Sequence, residues 1–160
     1  MTNDVIDGFL EKLGYSVAMS GKHRQLMKEW HEWYRGKVDS FHNYTVYNGF
    51  ENVDCEKLTL GMAKRSAEDW ADLLLNEKVE IMTRAQEELD TILEANNFRD
   101  RANQLIELAF ALGTGAFVAY ASPSRTDRPV TINYINGLMI RPLKIENGEI
   151  VDCAFASQLN

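Results

Sequence analysis

Cysteine is scarce in this 160-residue chain, which carries only Cys55 and Cys153. Two thiols make no disulfide framework, so the sequence predicts free cysteines and a cytosolic-type compartment. Long apolar runs are also missing. The longest purely apolar stretches span a few residues, far short of the about 20 that a membrane-crossing helix needs. The opening MTNDVIDGFLEKLGY has early acids and no basic n-region, so it does not read as a secretory signal. Clustered positive charge is absent too. The 17 Lys and Arg are scattered and outnumbered by 24 Asp and Glu, for a net charge of −7. Duplex binding rests on several phosphates being neutralised together, so tight binding of nucleic acid by this chain alone is not expected.

What is present belongs to an ordinary folded protein. Hydrophobic residues make up 45% and charged residues 26%, a balance unlike that of disordered chains. The length suits one domain, or two very small ones, and a chain this long should bury roughly 70% of its unfolded surface without staples. The charge is uneven. Residues 1–50 hold six basic and six acidic side chains and residues 101–160 hold five of each, so residues 51–100, with six basic against thirteen acidic, supply all of the imbalance. Such a stretch reads first as a solvated helix face.

Hydrophobic spacing predicts helices first and strands last. Val5, Ile6, Phe9, Leu10 and Leu13 recur at helical spacing over 4–14. Ser20 is a candidate cap for a helix to Tyr34, with Leu26, Met27, Trp30, Trp33 and Tyr34 on its apolar side and Gly36 as its stop. Residues 41–49, FHNYTVYNG, favour a strand or extended turn. Thr59 is a candidate cap for a helix to about Asn76, whose stripe is Leu60, Ala63, Ala67, Trp70, Ala71 and Leu74; Lys64–Glu68 and Arg65–Asp69 pair opposite it. A short strand is predicted at Val79–Met82, then helices at 84–95 and 98–112 parted by Asn96-Asn97. After Gly113-Thr114-Gly115 the period changes. Residues 116–121, 130–135 and 138–145 read as strands, and Asn147-Gly148 as a tight turn into 150–156. The fold class predicted is α+β, with a helical N-terminal two-thirds followed by antiparallel strands.

Chemistry-bearing constellations are weak. His23, His31 and His42 lack paired metal-ligand spacing, and neither cysteine lies near another ligand-type residue. A Cys–His nucleophile pair has no local signature. Glu68, Asp69 and Asp72, like Glu87, Glu88 and Asp90, sit on polar helix faces, where carboxylates lack the unlike environments that acid–base catalysis needs. Gly113-Thr114-Gly115 follows a helix instead of opening one and has no Lys-Ser/Thr after it, so it reads as a helix-to-strand turn and not a phosphate loop. Trp30, Trp33 and Trp70 read as core residues, with Trp70 packed beside Ala67 and Leu74. No catalytic, cofactor-binding or metal-binding residue is therefore predicted, and no cofactor.

Four stretches, in order, carry a resemblance: 30–49, WHEWYRGKVDSFHNYTVYNG; 58–81, LTLGMAKRSAEDWADLLLNEKVEI; 105–120, LIELAFALGTGAFVAY; and 134–157, YINGLMIRPLKIENGEIVDCAFAS. Together they resemble the N-terminal part of tailed-phage portal proteins, the head–tail connectors of siphophages and prophages of Gram-positive bacteria. The second stretch is the most specific, being similar to the family's helix of the form MAK…EDWA.LL.NE. The likeness runs from about residue 26 onward.

The resemblance implies a structural virion protein and no enzyme: a subunit of the ring, usually of about twelve copies, at the capsid vertex through which double-stranded DNA is packaged and ejected. Its partners would be other copies of itself, the capsid, the terminase motor and the head–tail adaptor, with DNA passing without tight binding and no membrane involved. It would reside in the virion, and in the host cytoplasm during assembly. The expectation is a single wing-like portal fragment over 1–160, without stem, clip or crown, since the sequence stops soon after Cys153-Ala154-Phe155. The alternative left open is a stand-alone acidic α+β interaction module with no catalytic activity.

Overall fold

Ser20 sets the start of the longest N-terminal helix in the way its residue type suggests. In the computed structural model, which describes residues 5–75, 79–121 and 130–156, its hydroxyl accepts from the His23 backbone N–H at 3.1 Å. That satisfies one of the free donors of the first turn of α2 (Gly21–Tyr34). The shorter α1 (Val5–Lys12) precedes it, and a four-residue α3 (Asp39–His42) follows. A hairpin of β1 (Asn43–Tyr47) and β2 (Asn52–Glu56) comes next. Its turn is held by the Asn48 side chain, which accepts from the backbone N–H groups of Phe50 and Glu51.

Helices α4 (Met62–Leu74), α5 (Gln86–Ala95) and α6 (Phe98–Leu112) form the middle of the chain. Gly113, with φ +80°, closes α6, and two antiparallel hairpins complete the order. The first pairs β3 (Gly115–Ala121) with β4 (Val130–Asn136), and a 3-10 turn at Gly137–Met139 leads to β5 (Ile140–Glu146) and β6 (Glu149–Phe155). Asn147 and Gly148 both have positive φ, the backbone that a two-residue turn needs to match the twist of its strands. The fold is thus α+β, helices mostly first and strands mostly last, as the change of hydrophobic period implies. Among the described residues the strands form three separate two-stranded sheets.

The core lies around α6, which packs on α4, on α2 and against β3 and β4. Its buried residues include Met27, Ala67, Ala71, Ala102, Leu105, Leu112 and Ile135. Alanines at the α4–α6 contact let the two backbones approach closely. Gly137 fits beside α2 for a related reason. A Cβ there would come within 2.7 Å of the Met27 methyl and 3.0 Å of the Thr114 carbonyl.

Two polar devices tie distant segments together. Asn96, buried between α5 and α6, acts as a spare peptide group for the edge of β4. Its amide nitrogen donates to the Val130 carbonyl at 2.8 Å, and its amide oxygen accepts from the Ile132 N–H at 2.9 Å. Asp7 on α1 joins Arg24 on α2 and the buried Arg141 on β5.

Several expectations are corrected. Thr59 does not cap α4. Gly61, with φ +62°, is the residue before the helix, and the Thr59 hydroxyl accepts from the Gly61 N–H at 3.2 Å. Leu60 consequently falls outside the helix and is 87% exposed. Val79–Met82 is not a strand, because side chains hold its carbonyls: Gln86 donates to Ile81 O and Arg99 to Val79 O. Residues 41–42 belong to α3, and Leu138-Met139 to the 3-10 turn. Trp70 is 55% exposed. The adjacent Ala71 occupies the centre of the α4–α6 contact, about 100° around the helix, so the indole lies at its rim and stacks on Phe110 with centroids 5.9 Å apart. Asp4, Asn76 and Ser157–Asn160, the outer limits of three sequence readings, lie outside the described residues.

Candidate interaction surface

Apolar side chains left at the surface dominate the functional geometry. At the C-terminal end of α4, an apolar cleft of about 490 Å³ opens between α5, the start of α6 and residues 79–82, a volume typical of ligand clefts. Leu75, Ile81, Met82, Leu93 and Phe98 line it. The 79–83 wall is built, not incidental. Gln86 donates to the Ile81 carbonyl and to Asp90, and accepts from the Thr83 N–H. Among the described lining residues Glu80, Asp90 and Glu94 stand against a single cation, Arg99, so the described cleft is apolar within and acidic at its edge. Among the described lining residues there is neither histidine nor cysteine.

The opposite end of α4 carries a different surface. After β2 the chain runs through irregular residues 57–61, where Leu58 is 95% and Leu60 87% exposed, and Met62 follows in the first turn. Fully exposed leucines this close together are unusual for a surface that meets only water. Lys57, Lys64 and Arg65 lie near them in the sequence. The Lys57 ammonium lies 4.2 Å from the Phe41 ring centroid. Lys64 and Arg65 reach Glu68 and Asp69 at 3.4 and 3.1 Å, in exposed pairs of the predicted four-residue spacing, which contribute little to stability.

The residues singled out by type are scattered. His23 meets the edge of Trp30, and His31 stacks on Tyr34. His42 is buried, with Nδ1 3.0 Å from the Val38 nitrogen and 2.9 Å from its carbonyl oxygen. Trp33 tilts against Phe41 at 5.0 Å. Both Trp30 and Trp33 are 38% exposed, so neither is a sealed core residue. Cys55 and Cys153 are free thiols on separate hairpins. Asp72 accepts from Asn103 at 3.1 Å, linking α4 to α6. Glu87 and Glu88 occupy the first turn of α5, where the helix dipole favours negative charge. Among the described residues no group of three His, Cys, Asp or Glu is arranged to hold a metal ion, and no helix is long and apolar enough to cross a membrane.

One buried polar contact perturbs a titration. The Tyr34 hydroxyl donates to Glu107 at 2.5 Å. Burial first, then that hydrogen bond and the negative charges of Glu107 and Glu68, raise its pKa well above the usual 10. This contact joins α2 to α6 and opens onto no cleft residue.

No protein-family model, no curated protein and no solved structure matches the chain. The cleft and the Leu58–Leu60 segment are the features that reading by residue type missed. Gly61 was the available signal: a glycine two residues after Thr59 separates Leu60 from the helix that its spacing suggested.

Proposed function

We propose that this chain is a non-catalytic structural subunit of a phage portal ring, which acts through contacts with copies of itself at the vertex where double-stranded DNA enters and leaves the capsid. The observation that carries the reading is its surface. Phe50, Leu58, Leu60 and Met82 are each at least 80% exposed. A protein whose core is completed by neighbouring subunits has this character.

Three of the segments that carry the resemblance contain a structural unit or a junction between two, which supports the same reading. Residues 58–81 contain α4, 105–120 the turn from α6 to β3, and 134–157 the hairpin of β5 and β6. The acidic balance suits a partner of DNA that must not grip it, because clustered positive charge would retain the phosphates. Capsid, terminase motor and head–tail adaptor are the further partners, in the virion and in the host cytoplasm during assembly.

Light scattering and negative-stain imaging over a concentration series test the proposal. The expected result is a mass that rises with concentration, with assemblies of regular curvature. A strictly monomeric profile at high concentration overturns it in favour of a stand-alone acidic interaction module.

A further inference from the structure

We propose that the acid-edged cleft at the C-terminal end of α4 receives the Lys57–Met62 segment of a second copy of this chain. The proposal rests on the reading of the chain as a self-assembling subunit and names the two surfaces that meet. Leu58 and Leu60, 95% and 87% exposed, supply apolar side chains that water alone does not favour at the surface. The cleft supplies the apolar counterpart in Ile81, Leu93 and Phe98.

Charge selects this occupant. Lys57, Lys64 and Arg65 flank the leucines, and Glu80, Asp90 and Glu94 stand at the cleft. Lys64 and Arg65 already touch Glu68 and Asp69. Those pairs are exposed and weak, so both cations keep enough free surface to meet further carboxylates. Arg99, the one cation among the described lining residues, donates to the Val79 carbonyl at 3.4 Å and so belongs to the wall of the cleft.

Geometry directs the contact to another molecule. The leucines precede the first residue of α4 and the cleft begins at Leu75, just past its last. Thirteen residues of helix separate the two surfaces by about 20 Å. Anchored between β2 and α4, the leucine segment does not reach the cleft of its own chain. Joining two different patches makes the contact heterologous, so it repeats head to tail and builds a ring where the rotation closes.

Two variants test this. One carries Leu58→Asp and Leu60→Asp, which spoil the inserted segment. The other carries Met82→Asp and Glu94→Lys, which spoil the cleft. All four positions are exposed, and circular dichroism checks that each variant keeps the parent fold. Each variant alone is expected to lose at least tenfold in self-association. Mixed, they should form a discrete one-to-one complex that grows no further, because only one good segment and one good cleft remain to pair.

Variants that associate as the parent does overturn this contact and leave the self-assembly reading standing. So does a mixture that forms no one-to-one complex. A parent chain that is itself monomeric overturns both proposals. As a second measurement, Leu60→Cys with Met82→Cys, in a chain whose Cys55 and Cys153 are replaced by serine, should give a ladder of intermolecular disulfides under mild oxidation. An associating protein that yields no ladder overturns the contact.

Discussion

Asp7 and Arg141 lie 134 positions apart in the sequence, and the Arg141 Nε donates to Asp7 Oδ1 at 3.0 Å. The Asp7 carboxylate holds Arg24 with its other oxygen, so one side chain on α1 clamps α2 to β5. Arg141 is 3% exposed and also donates to the carbonyls of Leu138 and Ile140. A buried guanidinium is tolerable because its charge and its donors are answered together.

Asp7→Ala removes the carboxylate that Arg24 and Arg141 share and so cuts the tie from α1 to α2 and β5. The expected loss is about 3 kcal/mol, at the low end for a broken buried pair because Asp7 is partly exposed. Urea unfolding of the variant beside the parent measures it. A loss below about 1 kcal/mol, the scale of a surface ion pair, would show that water replaces the carboxylate.

Asn96→Ala strands two backbone groups of β4, the Val130 carbonyl and the Ile132 N–H. Leaving buried polar groups unpaired should cost about 2–3 kcal/mol. Asn96→Asp separates geometry from chemistry. A carboxylate still accepts from Ile132 but has nothing to donate to Val130, so this variant should also fall well below the parent in thermal melting. Equal stability of the parent and Asn96→Asp would show that the donation to Val130 is dispensable.

These two devices mark where sequence reading stopped. Local signals were legible: Ser20 as a cap, Gly113 as a helix end and Asn147-Gly148 as a turn all act within three or four residues, so residue type nearly decides them. Asn96-Asn97 was legible as the break between two helices. That the Asn96 amide also mends the edge of β4 was not, since its partners come 34 and 36 residues later. Asp7, Arg24 and Arg141 look like ordinary surface charges until tertiary packing brings them together. The cleft was hidden for the same reason. Its apolar residues come from four segments, namely Leu75 after α4, residues 79–82, α5 and α6, and of the carboxylates beside them only Asp90 was read as part of a polar helix face. Val79–Met82 has the apolar run of a strand, yet side chains of Gln86 and Arg99 take the carbonyls that a ladder would need.

Tyr34→Phe should alter stability chiefly at alkaline pH. Burial and the bond to Glu107 raise the folded-state pKa of Tyr34, whereas the unfolded tyrosine titrates near 10. Above that pH the unfolded chain releases a proton that the folded chain keeps, so this residue's contribution is present below pH 10 and declines as pH rises beyond it. Phenylalanine cannot ionise. The variant should lose about 1–2 kcal/mol at neutral pH, as expected for a hydrogen bond to a carboxylate, and show a shallower fall in stability above pH 10. Parallel alkaline slopes for the two proteins would refute the assignment.

Trp70 and Ala71 are neighbours with opposite burdens, and their substitution should invert the order that size suggests. The Trp70 side chain is large but 55% exposed, and its stacking on Phe110 is the specific contact it loses. Trp70→Ala is therefore expected to cost about 1 kcal/mol, the scale of one aromatic pair, instead of the about 3–5 kcal/mol of a buried tryptophan. Ala71 is small and fully buried on the face of α4 that meets α6. Ala71→Leu adds volume where the helices already touch, which forces them apart and should cost about 1–3 kcal/mol. Denaturant midpoints measured side by side decide the order. If removing the indole proves more damaging than enlarging the alanine, the close contact of α4 with α6 is not the centre of the fold.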